Sequence, residues 1–494
     1  MRSLLVSSAV LAVGCNVTCD AFHVHAGRST SLRFAHRTSG VGVTMKDSVS
    51  TTAESLEDLR KVQKANGGMV GDARYENGHV CHSVLLSGSG LGASHRADAV
   101  DAAVTSATLL TDKSHWGIIR VEGEDRLRFL HSQGTNAFEG ATKGSVVPTC
   151  FTSNIGRVVD FCEGVVLEDS VWLLSSPHRW QTLLQTMDKF IFPMDKTTVS
   201  EGKGMAVFSL AGPQAAESLA LVGCAFVPPP GRSVEGEFDG EKVTVISHKR
   251  PMTRTEIPQE GSLPGVGHAY LTVIMPVSVS VRVWSTISGS PSVVVAGEEE
   301  WQTLRIKQGL PFPGKELTSD YNPLEAGLWH AVHFDKGCYI GQESISRVNA
   351  YNAVRTALYG VSFEGSASVE EGAELLVEET GKRAGVVTSM MDPDAASTPF
   401  GLAYIKTKAG GVGLKVATKD GGVVGTVVQV PYPTRSDAES AMPPAKKEDA
   451  SKGEEAAAAL GLEEEKAKEK ARKAAKLEAM QKKIDALKAR RKTT

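Results

Sequence analysis

Residues 336–343 read K-G-C-Y-I-G-Q-E and form the most unusual stretch of the chain. Gly337 and Gly341 bracket a short Cys-Tyr-Ile run, so the backbone can turn sharply there and approach a ligand closely. Lys336 stands two residues before Cys338, where an ammonium favours the thiolate form of a cysteine. The sequence therefore predicts either a partly exposed, activated thiol or a buried cysteine in a glycine-bracketed turn.

Two histidines precede this motif, and together with Cys338 they raise the question of a metal site. Imidazole and thiolate groups suit zinc or iron. The spacing of His330, His333 and Cys338 matches no diagnostic pattern, and no fourth ligand is evident beside them. The seven cysteines of the chain also form no C-x-x-C pair, so neither a zinc ribbon nor a disulfide framework is expected. We predict no metal site.

Downstream of Tyr351 the sequence changes to short β-prone segments joined by glycine-rich turns, with no helical pattern between them. Such a series is typical of a small barrel or sandwich. We predict a C-terminal β-barrel domain over residues 351–434. Its strands are expected at Ala357–Phe363, Glu374–Val377, Ala384–Ser389, Phe400–Ile405, Gly413–Ala417 and Gly425–Val430.

Upstream of the motif, residues 85–350 alternate apolar strand-like runs with segments of helical spacing, which predicts an α+β domain. No G-x-G-x-x-G follows a strand and no P-loop is present, so nucleotide cofactors are not favoured. Strands are expected at Val165–Leu174, Val243–Ser247 and Tyr270–Pro276, and helices at Pro177–Phe190 and Trp301–Gly309.

The N-terminal region reads as two stacked targeting signals. Residues 1–21 hold an apolar run with small residues at its end, which is typical of a signal peptide, and residues 22–45 are basic and free of acidic residues, as in a transit peptide. This arrangement resembles the bipartite leader of plastid proteins, with a mitochondrial protein as the alternative and an ordinary secreted protein as a third reading. Residues 46–84 are expected to be a linker or extension.

The C-terminal region, residues 435–494, is rich in Ala, Lys and Glu and is predicted to be a charged tail, helical or disordered. An apolar seam of two heptads at Leu477, Met480, Ile484 and Leu487 leaves dimerisation open beside a solvated single helix. A net charge of −3 and a pI near 6.5 give no electrostatic reason to expect nucleic acid as a partner. No membrane span is expected after the leader.

The motif at residues 336–343 closely resembles the signature of the YgfZ-type folate-binding proteins, which are relatives of the glycine-cleavage aminomethyltransferase. Three upstream segments, Leu304–Ile306, Gly314–Thr318 and Tyr321–Leu328, resemble the stretch that precedes the signature in that superfamily. A thinner similarity runs from Gly117, through His131–Asn136 and Ala211–Pro213, to the strands that end near Pro433.

The resemblance implies an α+β fold: a cloverleaf of three subdomains around a folate-sized hole, followed by the small barrel. It implies tetrahydrofolate, or another reduced folate, as the bound cofactor. It also implies a role in the assembly or repair of iron-sulfur clusters in an organelle, with cluster assembly proteins or cluster enzymes as partners.

Site residues follow from the same resemblance. Arg305 matches a family arginine beside the folate site, and a guanidinium is suited to the carboxylates of the folate tail. Asp160 falls where the aminomethyltransferases carry two adjacent aspartates, and it could orient the folate or move a proton. We expect Cys338, Lys336 and Asp160 as catalytic candidates. The cofactor-binding candidates are Arg305, Asp160, Tyr339, Gln342, Glu343 and Asn136.

Two departures from the aminomethyltransferases bear on the activity. Phe161 replaces the second aspartate, and residues 265–270, the counterpart of the family's G-Y-T-G-E type motif, hold no glutamate. The leading expectation is therefore a folate-binding protein that supports iron-sulfur clusters. The alternatives are a folate-dependent aminomethyl or one-carbon transferase, and an interaction protein that works through its charged tail.

Overall fold

The computed structural model describes residues 32–33, 55–75, 78–88, 93–224, 227–249, 253–255, 265–268, 270–365, 368–391, 399–420 and 422–435. Within these residues, no helix is both long and apolar enough to cross a membrane. The predicted signal peptide lies outside the described residues. So do the predicted transit peptide, apart from a two-residue strand, and the charged tail beyond Arg435.

A seven-stranded mixed sheet forms the centre of the main body. Its central strands are apolar on both faces because helices cover one face and a second sheet covers the other. In spatial order the strands are β1 (Leu32–Arg33), β11 (Arg232–Phe238), β12 (Glu241–Ser247), β15 (Tyr270–Pro276), β10 (Met205–Ala211), β4 (Thr108–Asp112) and β16 (Val293–Ala296).

A five-stranded antiparallel sheet packs against the first. Its order is β6 (Val146–Thr152), β7 (Val158–Val166), β8 (Ser170–Ser175), β5 (Gly117–Glu122) and β9 (Thr198–Glu201). The expectation of a single strand over Val165–Leu174 is wrong, because Leu167 donates its backbone N–H to the Ser170 carbonyl at 2.8 Å and closes a hairpin between β7 and β8. The polar Glu-Asp-Ser run at this point is typical of a turn.

The C-terminal region forms a closed six-stranded barrel, which confirms the predicted barrel. Around the barrel the strands follow the order β17 (Thr356–Phe363), β20 (Phe400–Lys406), β19 (Arg383–Met390), β18 (Glu374–Val377), β21 (Lys415–Thr418) and β22 (Val424–Val428). After β22, residues 430–435 form a C-terminal strap that returns to the main body, where Tyr432 donates its N–H to the Gln308 carbonyl at 2.8 Å.

Helices and two small hairpins complete the described structure. The helices are α1 (Leu56–Ala65), α2 (Ala93–Ser106), α3 (Arg126–Gln133), α4 (Trp180–Lys189), α5 (Ala215–Ala220), α6 (Val277–Ser288), α7 (Glu298–Gln308) and α8 (Gln342–Ala350), with a 3-10 turn at Trp329–Ala331. The hairpins pair β2 (Met69–Arg74) with β3 (Val80–Ser87) and β13 (Thr253–Thr255) with β14 (Gly265–His268).

The stretch 46–84, expected to be a linker or extension, contributes α1, β2 and most of β3 to the folded body. Leu59 of α1 is fully buried in the core of the seven-stranded sheet. Arg60 of the same helix forms a buried ion pair with Asp112 at the end of β4. These contacts make α1 part of the main domain.

Candidate functional site

A cavity opens where the two sheets meet α7 and the C-terminal strap. It encloses about 590 Å³ of empty space, counted together with the solvent in front of it. Its wall comes from the ends of β4, β8 and β12, from β7 and β15, from α7 and the segment that follows it, and from the strap. The wall residues are Lys113, Trp116, Phe161, Glu163, Leu174, Ser176, His248, Tyr270, Trp301, Leu310, Pro311, Phe312, Pro313 and Tyr432.

Aromatic rings make up much of this wall. Trp116 and Trp301 meet edge to face, with their ring centroids 5.2 Å apart, and Phe312 lies 5.4 Å from Trp301. Gly309 takes the left-handed conformation at φ +76° and ends α7. The chain that follows this helix end brings Phe312 into the wall. Flat apolar surfaces of this kind suit a planar ring ligand.

One positively charged side chain in the wall is Lys113, the residue after β4. Its Nζ donates a hydrogen bond to the Tyr270 hydroxyl at 2.8 Å. The same atom lies 4.3 Å from the ring centroid of Trp116 and 4.2 Å from that of Trp301. Lys113 is buried, so its ammonium is held among aromatic faces with little water around it.

An acid-imidazole pair stands on the other side of Tyr270. His248 stacks on the Tyr270 ring at 4.2 Å, and its Nδ1 is in ion-pair contact with Glu163 Oε2. His248 Nε2 shares a hydrogen bond of 2.7 Å with the Thr272 hydroxyl, which fixes the imidazole ring. Among the residues that the structure describes, no donor is bonded to Glu163 Oε1, so this oxygen is available to a ligand.

Asp160 lies behind the wall and not in it. On β7 the side chains alternate, so Phe161 and Glu163 face the cavity while Asp160 faces the opposite side and is fully buried. Its Oδ2 accepts hydrogen bonds from the hydroxyls of Ser175 and Ser176, at 2.5 and 3.2 Å. Burial raises the pKa of Asp160 above its usual value, although these hydrogen bonds act in the opposite direction. Asp160 is therefore connected to the cavity wall through Ser176.

Arg305 is also held behind the wall. Its guanidinium donates to Glu316 Oε2 at 3.1 Å and to the Ser389 hydroxyl at 2.9 Å, and its Nε donates to Gln302. The carbon at the centre of the guanidinium lies 5.3 Å from the Phe312 ring centroid. With its donors committed in this way, Arg305 supports the wall, and the geometry does not support the expected contact with a folate carboxylate.

Lys336 and its neighbours meet at the C-terminal end of α3. The Lys336 ammonium donates to the carbonyls of His131, Gly134 and Asn136, which is where the negative end of a helix favours a cation. Burial lowers the pKa of Lys336 to about 7, and Glu139 acts in the opposite direction. The ammonium is thus directed at α3, so this geometry does not support the expected activation of the cysteine by Lys336.

The other motif residues take structural positions around Lys336. Tyr339 is buried under the ammonium, with its ring centroid 4.9 Å from Nζ, and burial raises its pKa well above the ordinary value. The Asn136 side-chain amide donates to the carbonyls of Pro148 and His330. Gln342 begins α8, and Glu343 is exposed beside Arg347, at 2.6 Å.

The glycines of the motif explain its close packing. Gly341 adopts φ +83°, and a Cβ there would lie 2.5 Å from the Ser153 carbonyl oxygen. Thr152 donates its hydroxyl to the Ile340 carbonyl at 2.6 Å, so the motif is fastened to the hairpin between β6 and β7. Cys338 remains exposed at the surface of this loop, in contrast to the buried Cys150.

None of the residues expected from the sequence to form the site belongs to the cavity wall. Sequence reasoning missed Lys113, Glu163, His248 and Tyr270, which supply its polar groups. The run Asp-Lys-Ser-His-Trp at 112–116 was the available signal, because a lysine directly after an apolar strand is unusual at a buried position. Within the described part of the chain, no group of three or more His, Cys, Asp or Glu residues could hold a metal ion.

No family model matches the chain. It is 33% identical over 347 residues to a putative chloroplastic transferase of Arabidopsis thaliana, a match that covers 70% of this chain and 75% of the relative. It is 26% identical over 324 residues to an aminomethyltransferase of Caldanaerobacter subterraneus, covering 64% of this chain and 81% of that one.

The fold agrees with these relatives. The crystal structure of the glycine cleavage system aminomethyltransferase T from Bartonella henselae matches with a TM-score of 0.62 at 19% identity, over 76% of this chain and 98% of that one. The predicted α+β fold of the aminomethyltransferase type with a C-terminal barrel is thus confirmed. The chain belongs to the aminomethyltransferase superfamily of the glycine-cleavage T-protein.

Proposed function

We propose that this protein binds tetrahydrofolate, or another reduced folate, in the cavity and supports iron-sulfur cluster assembly or repair as a YgfZ-type member of its superfamily. The observation that carries folate binding is Glu163 in its wall of aromatic rings, a carboxylate whose Oε1 accepts no hydrogen bond from the residues that the structure describes. A pterin ring is flat and presents adjacent N–H donors on one edge, so a carboxylate beside aromatic faces is its natural complement.

The unsatisfied donors of the cavity support the same fit. The indole N–H groups of Trp116 and Trp301 are buried and have no acceptor among the described residues. A pterin carries ring nitrogens and a carbonyl that accept hydrogen bonds, and a buried donor gains most when such an acceptor arrives. When bound, a reduced folate would supply a carrier for one-carbon units.

The iron-sulfur role rests on the K-G-C-Y-I-G-Q-E motif and on the exposure of Cys338. Because the loop is fastened to β6, β7 and α3, it presents the thiol at a fixed place on the surface, where a partner protein can reach it. A plastid location is proposed because the Arabidopsis relative is named as chloroplastic. The expected bipartite leader agrees with this proposal.

A folate-dependent aminomethyl or one-carbon transferase is the second candidate. Asp160 favours it, since burial raises the pKa of this carboxyl and Ser176 links it to the cavity by hydrogen bonds. A carboxyl that is connected to a cavity by a hydroxyl can take up and release a proton during a reaction, and a raised pKa favours its protonated form. The names of the relatives, a transferase and an aminomethyltransferase, agree with this alternative.

Folate binding is tested by anaerobic calorimetric titration of the full chain with tetrahydrofolate. We expect saturable binding, and we expect Glu163→Gln to weaken it by at least about tenfold, because a carboxylate makes stronger hydrogen bonds than a neutral amide. Glu168→Gln is the matched control, since the Glu168 side chain is exposed and its carboxylate pairs with Lys143 at 3.2 Å on the surface. Absence of binding at millimolar folate would refute the proposal.

The role of the thiol is tested separately with Cys338→Ser. Because Cys338 is not part of the cavity wall, the variant should bind tetrahydrofolate with unchanged affinity. In cells that carry only this variant, the activity of an iron-sulfur enzyme in the same organelle should fall several-fold. Cys81→Ser, a change at a half-buried cysteine, serves as the control. Full cluster-enzyme activity with Cys338→Ser would contradict the proposed role of the thiol.

A further inference from the structure

Lys113 carries a buried ammonium that forms no direct ion pair with any carboxylate of the described residues. Lys113 is 3% exposed, and its Nζ donates a hydrogen bond to the neutral hydroxyl of Tyr270. Across the described ranges of the chain, no carboxylate oxygen lies within ion-pair distance of this nitrogen. Glu298, whose charge interacts with that of Lys113, is instead held by Gln302 at 2.7 Å and by His115 at 3.3 Å.

Aromatic faces compensate only part of the cost of burying this charge. The ammonium is caged by Trp116 and Trp301, and such cation–π contacts favour it most in dry surroundings. Removing an ion from water without an opposite charge in direct contact nevertheless remains unfavourable. An anion of matching charge and shape that binds beside Lys113 would therefore offset this cost.

The cage also contains donors that lack acceptors. The Nε1 atoms of Trp116 and Trp301 are buried in the same wall, and neither has a hydrogen-bond partner in the part of the chain that the structure describes. Together with the ammonium they form a set of donors with no acceptor other than the Tyr270 hydroxyl. A carboxylate, with two oxygens and several lone pairs, is suited to such a set.

The surrounding charges define what kind of anion fits. One lysine neutralises one negative charge, so a monoanion is matched and a phosphate dianion is not. Glu163, on the far side of Tyr270, repels a second negative group. The largely aromatic wall therefore carries a carboxylate, Glu163, on one side of Tyr270 and an ammonium, Lys113, on the other.

We propose that the Lys113, Trp116 and Trp301 cage is a carboxylate subsite of the cavity. The carboxylate has two possible sources, the glutamate portion of the folate or a separate small carboxylate that occupies the cavity together with the pterin. The first source rests on the proposed folate function, whereas the second does not need the glutamate at all. Lys113 acts here as a binding residue that sets the orientation of the ligand.

Tryptophan fluorescence of the full chain tests the subsite directly, because two indole rings form it. Sodium acetate should change the fluorescence saturably in the millimolar range, and sodium chloride at equal ionic strength should not. Lys113→Met should abolish the response, while Lys113→Arg should retain part of it because it keeps the charge. Lys203→Met is the control, since the Lys203 side chain is 80% exposed. Thermal unfolding of each variant shows whether it is folded.

Calorimetric titration with tetrahydrofolate and with 6-methyltetrahydropterin identifies the source of the carboxylate. If the folate glutamate occupies the cage, Lys113→Met weakens the binding of tetrahydrofolate by at least about tenfold. It leaves the affinity for 6-methyltetrahydropterin, which has no glutamate, unchanged. If a separate carboxylate occupies it, acetate tightens the binding of 6-methyltetrahydropterin to the wild-type chain and not to Lys113→Met.

The outcomes separate this inference from the proposed function. A Lys113-dependent acetate response in a chain that binds no pterin keeps the carboxylate subsite and overturns folate binding. Equal affinities of the wild type and folded Lys113→Met for acetate and tetrahydrofolate overturn the subsite and leave folate binding standing.

Discussion

Glu316→Ala is expected to lower the free energy of unfolding by about 3–5 kcal/mol, the usual cost of breaking a buried ion pair on one side. The Glu316 side chain is fully buried and pairs with Arg305 at 3.1 Å. It also accepts hydrogen bonds from the Phe312 N–H at 3.0 Å and from the Ser389 hydroxyl at 2.6 Å. Without it, the Arg305 guanidinium stays buried with its charge uncompensated. Denaturant titration of the full chain measures the loss.

A double variant distinguishes a lost ion pair from a general packing defect. Arg305→Met combined with Glu316→Leu removes both charges at similar volume, so most of the lost stability should return. Glu343→Ala breaks only the exposed pair with Arg347 and should barely change stability. A loss below about 1 kcal/mol for Glu316→Ala would show that water reaches this pair in solution. The guanidinium could then turn toward a ligand after all.

Asp112→Asn is expected to destabilise the chain by about 3 kcal/mol at neutral pH and to loosen α1. The carboxylate of Asp112 holds Arg60, accepts from Gln63 at 2.6 Å, and accepts from the Ser114 N–H at 2.8 Å. Arg60 and Gln63 both belong to α1, so this side chain fastens the helix to the end of β4. Urea unfolding combined with amide hydrogen exchange of α1 measures both effects.

The pH dependence of this difference follows from the pKa of Asp112. Burial alone would raise that pKa, but Arg60 and the hydrogen bonds from Gln63 and Ser114 outweigh burial, so the pKa lies below its usual value. The stabilisation is therefore present above the unfolded-state pKa of about 4 and is lost as the pH falls through the folded-state pKa. The difference in unfolding free energy between wild type and Asp112→Asn should therefore become smaller below about pH 4. A gap that stays constant down to pH values of about 2 would argue against the ion pair as its cause.

Local patterns in the sequence were sufficient for the barrel. Its strands are short, β-prone and separated by glycine-rich turns, and each of the six expected segments corresponds to one observed strand. The signal that misled was equally local. The run at Val165–Leu174 is apolar enough to look continuous, although Glu168, Asp169 and Ser170 turn the chain within it.

The cavity could not be predicted in the same way, because its polar residues come together only in three dimensions. Lys113 and His248 each follow a strand, and nothing in their local sequence shows that those strand ends lie beside Tyr270. Resemblance drew attention to Asp160 and Arg305, which the structure places just behind the wall. Strand periodicity distinguishes the two faces of β7, but it does not reveal which face meets the cavity.

The wall of the cavity is built from parts of the chain that are far apart in sequence. It includes Lys113 in the first third of the chain and Tyr432 in the C-terminal strap. A chain that is still leaving the ribosome has no complete site until the strap has emerged. A ligand of this cavity therefore recognises only finished molecules and adds stability to them by mass action. We therefore expect completed copies with a bound ligand to resist proteolysis longer than empty ones.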